Sequence, residues 1–147
     1  MPRRQTAPQQ WLIIRGADDR AGIDAAGRLP RGAGVILLGP LSGTDQRRLR
    51  SRGIVIASER DGAAARVHNA RELRRALLAR TPLVLLSPIF ATRSHPDWKP
   101  LPRMRAAALA RLGGRRLVAL GGMDARSFAR IRKLGFQAWA GISAFRT

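Results

Sequence analysis

Leu83-Val84-Leu85-Leu86-Ser87-Pro88-Ile89-Phe90-Ala91-Thr92-Arg93-Ser94-His95 is the stretch on which the reading of this chain turns. Leu83 to Leu86 is continuously apolar, the pattern of a short strand buried on both faces of a parallel sheet. Pro82 and Pro88 bracket it. Thr92, Arg93, Ser94 and His95 then bring hydroxyl, guanidinium and imidazole groups to the strand's carboxyl end, where α/β folds hold their ligands.

The same unit repeats on either side. Upstream, Trp11–Ile14, Val35–Leu38, Ile54–Ala57 and the weaker Ala65–Val67 read as strands. A helix over 46–52 is capped by Thr44 and ended by Gly53. Between the first two strands lie a polar Arg-Gly-Ala-Asp-Asp-Arg segment and a stretch punctuated by Gly and Pro up to Gly34. A second helix is expected from Ala70 to Ala79, with Asn69 as cap and Glu72 as its capping-box partner. Leu73, Leu77 and Leu78 form its apolar stripe, and Arg71, Arg74 and Arg75 face water. Downstream come an alanine-rich helix over 103–112, a strand at Leu117–Leu120, the turn Gly121-Gly122-Met123, a helix from Asp124 through Leu134, and a last strand over Phe136–Ile142. This alternation predicts a parallel sheet with right-handed crossovers, doubly wound or curled into a barrel. Neither a Gly-x-Gly-x-x-Gly fingerprint nor a Walker sequence supports a nucleotide-binding open sheet.

At 147 residues the chain is shorter than the roughly 250 typical of an eight-unit barrel. If the sheet curls into a barrel, part of that barrel is missing. Residues 1–10 read as a flexible basic arm and 11–147 as one domain. The absence of cysteine excludes disulfides, thiolate metal sites and cysteine nucleophiles. With no apolar run of signal-peptide or membrane-spanning length, the expectation is a cytoplasmic protein with no membrane partner. Twenty-eight basic residues against nine acidic give +19, which favours anionic partners such as RNA or phosphorylated metabolites. With no Tyr, four Phe and three Trp, material for base stacking is scarce, so nucleic acid is not the favoured partner.

Two glycine-bearing strand ends, Ala119-Leu120-Gly121-Gly122 and Ala140-Gly141-Ile142-Ser143, belong together. Glycine lets backbone N–H groups approach a phosphate, and α/β barrels often hold phosphate between their last two strand loops. The amides of Gly122 and Ser143 are the candidates.

Leu-Ser-Pro-Ile-Phe-Ala-Thr-Arg-Ser-His-Pro, Ala-Leu-Gly-Gly-Met and Ala-Gly-Ile-Ser-Ala, in that order and spacing, resemble the thiamine phosphate synthase and TenI family of (β/α)-barrel proteins of thiamine biosynthesis. The resemblance covers residues 65 to 145 and implies a shortened (β/α) TIM-like barrel of about seven parallel strands, incompletely closed. It implies that Thr92 and Ser94 line the substrate pocket and that Gly121, Gly122, Ile142 and Ser143 cradle the phosphate of a thiazole phosphate or thiamine phosphate. It also singles out His95. Synthases usually carry lysine there, whereas in TenI-type thiazole tautomerases a histidine shuttles a proton, a task suited to imidazole near neutrality.

The departures from the family fall on the diphosphate side. Synthases need Mg²⁺ to bridge diphosphate oxygens. The family's first metal segment has only Ser58-Glu59-Arg60-Asp61 as a counterpart, making Glu59 and Asp61 the candidate ligands, and the second segment has none. Mg²⁺ is therefore implied only if synthase activity is retained. One βα unit is missing between Ser58 and His68, and Arg66 replaces a family serine. His68 reads as a capping residue beside Asn69, and Trp98 as a lid or interface residue. Three readings follow: a thiazole-phosphate-binding protein with tautomerase-like use of His95, a minimal Mg²⁺-dependent synthase, or a non-catalytic relative that binds RNA or another acidic partner. A missing unit also raises the prospect of a homodimer in which two chains complete each other.

Overall fold

The computed structural model describes residues 7–93 and 95–146. Seven strands, β1 (Gln10–Ile14), β2 (Gly34–Leu37), β3 (Val55–Ser58), β4 (Ala64–Val67), β5 (Leu83–Leu86), β6 (Leu117–Ala119) and β7 (Trp139–Gly141), form one sheet in the order β3-β2-β1-β7-β6-β5-β4, every pair parallel. The helices are α1 (Arg20–Ala26), α2 (Gly43–Ser51), α3 (Ala70–Leu78), α4 (Arg103–Gly113) and α5 (Ala125–Ile131). The sheet curls into a nearly closed barrel with one unsealed seam, between β3 and β4. These two strands are consecutive in the chain yet lie at opposite ends of the sheet order, joined by residues 59–63 with no helix between them. The missing βα unit expected from the sequence is located there.

Strand alternation sorts the core into layers. Trp11, Ile13, Ile36, Ala64, Leu85, Val118, Ala138 and Ala140 fill the barrel interior. Their neighbours face outward into two helix-covered clusters. Leu12, Ile14, Val35 and Leu37 meet Ala25, Ala26 and Leu49 of α1 and α2. Val67, Val84, Leu86, Leu117 and Ala119 meet Leu73, Leu109, Phe128 and Ile131 of α3, α4 and α5. Leu12, Leu85 and Val118 are fully buried, as strands covered on both faces require.

Several local expectations change. α1 was not expected, because its one partly buried large apolar residue is Ile23 and its packing rests on Ala25 and Ala26; it is started by Asp19, whose carboxylate accepts from Gly22 N–H at 3.1 Å. Ser42, not Thr44, caps α2, accepting from Asp45 N–H at 3.1 Å. Gly53 does end it, at φ +80°. Leu78 leaves the apolar stripe of α3, being 85% exposed, because Leu73 and Ala76 already cover the sheet. The last strand shortens to Trp139–Gly141, since Phe136 turns outward into the α3–α5 layer. Of the N-terminal arm expected over 1–10, residues 1–6 lie outside the described residues, and Gln10 already belongs to β1. No helix among the described residues is long and apolar enough to cross a membrane.

Candidate functional site

The loop joining β5 to α4 spans three neighbouring strand ends. Its first half lies on the end of β6: Ile89 N–H donates to Leu120 O at 3.0 Å and Phe90 N–H to Gly121 O at 3.1 Å. This approach explains the glycine pair. A Cβ on Gly122 would stand 2.5 Å from Ala91 O, and one on Gly121 2.9 Å from the Pro88 Cα. Both glycines also have positive φ, +104° at Gly121 and +60° at Gly122. Close packing thus accounts for the pair, while Gly122 remains exposed and Gly121 is buried.

The neighbouring corner, after β7, adjoins this one. A Cβ on Gly141 would lie 3.1 Å from Met123 O, so the carboxyl ends of β6 and β7 are in contact. Ile142 is half-buried against the barrel interior, and Ser143, exposed, opens a short 3-10 turn, Ser143–Phe145. Phe145 stacks on Trp139 with ring centroids 5.0 Å apart. Asp124 caps α5, and the hydrogen bonds from Ser127 N–H and Oγ hold its carboxyl below the ordinary value.

The second half of the loop turns the other way, toward β4. Thr92 Oγ1 accepts from His95 N–H at 3.1 Å, a hydroxyl-closed turn, and Trp98 N–H donates to His95 O at 3.0 Å. The rings of His95 and Trp98 stack face to face, centroids 3.9 Å apart and planes 10° from parallel. Trp98 also meets His68, edge to face, at 5.3 Å and 89°. His68 sits between β4 and α3, where Glu72 completes the cap: Asn69 Oδ1 accepts from Glu72 N–H, and Glu72 Oε2 accepts from His68 N–H and lies 3.2 Å from His68 Nδ1. The capping box therefore reaches the His68 N–H rather than the Asn69 backbone N–H, while Asn69 Nδ2 donates to Glu72 Oε1 at 3.2 Å. Both histidines of the chain converge on one indole, a relation that sequence reading missed. Its signal was positional, since His68 and His95 follow the ends of adjacent strands.

At the seam, Glu59 receives Arg66 in a two-pronged contact, Nε to Oε2 at 2.8 Å and an Nη to Oε1 at 2.9 Å. Asp61 accepts from Ala63 N–H at 3.0 Å in a tight turn. The two candidate Mg²⁺ ligands thus serve the link between β3 and β4. Both Glu59 oxygens face a guanidinium, a donor set that does not fit a divalent cation. Among the described residues no three His, Asp or Glu side chains gather as metal ligands. Ser94 lies outside the described residues.

The structure therefore brings Gly121, Gly122, Ile142 and Ser143 to one region, at the ends of β6 and β7. His95 is anchored on the far side of β5, against Trp98 and His68. Thr92 lies in the connecting loop between them. No curated protein matches the chain. The family model for thiamine monophosphate synthase matches residues 62–145, more than half of the chain and including the β4–β7 ends just described. That match, on a seven-stranded parallel barrel with the loop and glycine corners in place, makes this chain a member of the thiamine monophosphate synthase family.

Proposed function

We propose that the protein holds the phosphate of a phosphorylated thiazole at the ends of β6 and β7, with the ring directed across the end of β5 toward His95, the acid–base group that isomerises it. The observation that carries this reading is the contact of the two corners: Gly141 against Met123, with Gly122 and Ser143 both exposed beside it. Backbone N–H groups at such corners suit a phosphate's oxygens, and Ser143 adds a hydroxyl donor. The metal-dependent condensation is disfavoured, because Arg66 occupies Glu59 and the turn at Ala63 occupies Asp61. Thiazole isomerisation needs neither metal nor diphosphate, only a proton moved between two carbons of the ligand.

Backbone amide NMR with thiazole carboxylate phosphate tests the reading. Gly122 and Ser143 are expected to shift with saturable dependence on ligand, and a carbon-bound ligand proton to exchange for solvent deuterium. Unmoved amides at millimolar ligand would end it. A non-catalytic protein that meets an acidic partner through its arginines would instead bind RNA with steep salt dependence and be indifferent to His95→Ala.

A further inference from the structure

We propose that His68, oriented by Glu72, is a second acid–base group of this site, and that Trp98 is the positioning residue that holds His68 and His95 as a pair. The inference rests on the isomerase reading above and assigns it a second imidazole.

Three observations converge. A carboxylate only accepts hydrogen bonds, so the 3.2 Å contact of Glu72 Oε2 with His68 Nδ1 puts a proton on Nδ1, and in the neutral ring Nε2 is then the accepting nitrogen. This carboxylate–imidazole arrangement holds a histidine in its proton-accepting tautomer. Next, the chain has two histidines, and both contact the same indole, His95 across its face at 3.9 Å and His68 edge-on at 5.3 Å. Stacking of this kind orients rings beyond what area burial provides. Last, Trp98 is 41% exposed whereas Trp11 and Trp139 are 5% and 4% exposed, so its ring is not held there by a core. A large aromatic side chain kept at a strand-end mouth on two imidazoles is better explained by the imidazoles than by packing.

The chemistry balances. One imidazole, neutral, takes a proton from a ligand carbon, and the C–H electron pair moves into the conjugated ring. The other imidazole, protonated, delivers a proton to a second carbon. The double bond shifts, nothing is oxidised or reduced, and solvent resets the two rings. Two fixed imidazoles allow the two carbons to be served from different positions without the ligand turning over.

The test follows deuterium exchange into thiazole carboxylate phosphate by NMR while the Gly122 and Ser143 amides report binding. Both His68→Gln and Glu72→Gln are expected to slow exchange, His68→Gln by about a hundredfold or more, the typical contribution of an acid–base group. Ligand-induced amide shifts should remain. Trp98→Ala is expected to slow exchange as His68→Gln does and to move the ring C–H resonances of both histidines, which the indole ring current displaces. Trp98→Phe should restore most of the rate. Glu72→Gln, which retains a side-chain oxygen for the cap, carries the test should His68→Gln fail to fold. Wild-type exchange that survives His68→Gln and Glu72→Gln but is lost in His95→Ala overturns the second group and leaves the isomerase reading standing. Binding at Gly122 and Ser143 with no exchange in the wild type overturns both the isomerase and its second imidazole, and leaves only a binding protein.

Discussion

Arg66 and Glu59 clasp each other across the one seam of the barrel, through two parallel hydrogen bonds of 2.8 and 2.9 Å. The pair spans the junction at which β3 and β4 do not hydrogen-bond as strands, and does so at the mouth rather than in the core. Its side chains are 46% and 27% exposed, so solvent screens the attraction.

Arg66→Ala is therefore expected to lower stability by only about 0.5–1 kcal/mol, near the upper end for exposed pairs because the geometry is forked. Lysine cannot form the fork, so Arg66→Lys should recover less than half of the loss. Chemical denaturation, with the Glu59→Gln variant completing a double-mutant cycle, measures the coupling directly.

A second clasp joins the chain's last described residue to its first turn. Arg146 reaches Asp19 at 2.7 Å, and Asp19 also accepts from the Arg15 and Gly22 amides. Burial alone would raise the Asp19 carboxyl, but the hydrogen bonds from Arg146, Arg15 and Gly22 outweigh it and hold the group below its ordinary value of 3.8. A lowered folded-state pKa contributes stability that is complete above the unfolded value and is lost as pH falls through the folded one. Below about pH 4 the wild type should therefore lose stability more steeply than Asp19→Asn, with the two curves parallel from pH 5 to 7. Thermal unfolding across that range checks the sign.

Gly122→Ala is expected to destabilise by about 1–3 kcal/mol, combining strain at positive φ with a Cβ driven toward Ala91 O. Amide exchange should rise at Ile89 and Phe90, whose hydrogen bonds to Leu120 and Gly121 fix the same contact.

Leu78 and Leu73 offer a contrast within one helix. Leu73 is fully buried against β4 and β5, and Leu73→Ala should cost about 2–5 kcal/mol. Leu78→Ala, at a side chain 85% exposed, should stay within about 0.5 kcal/mol of wild type by urea denaturation.

Acrylamide quenching of tryptophan fluorescence should come almost wholly from Trp98, since Trp11 and Trp139 are buried. Trp98→Phe is expected to leave an emission that is blue-shifted and nearly unquenched. Strong residual quenching would mean that one of the two core indoles is reached by solvent.

What was legible in the sequence follows the strength of its local signals. Runs such as Val35–Leu37 and Leu83–Leu86 are apolar at every position, and strands buried on two faces can hardly look otherwise. Asn69 and Asp124 carry side chains that cap wherever a helix follows them, and both do so. α1 was illegible because alanines supply most of its buried face, too small to stand out as a periodic stripe. The pairing of His68 with His95 was hidden for a different reason. It depends on how β4 and β5 sit side by side and on a loop turn closed by Thr92, neither of which leaves a spacing rule in the chain.

The five-residue step from Ser58 to Ala64 leaves the outer edges of β3 and β4 without a strand partner among the described residues. Gly62, within this step, has φ +82° and open space around it. This is a natural port for grafting: a strand–helix segment spliced in at Gly62 would find backbone donors and acceptors on two sides and enlarge the ring from seven staves to eight. Because β3 and β4 already keep the same direction, such an insert would have to supply length alone, with the polarity of its neighbours set in advance.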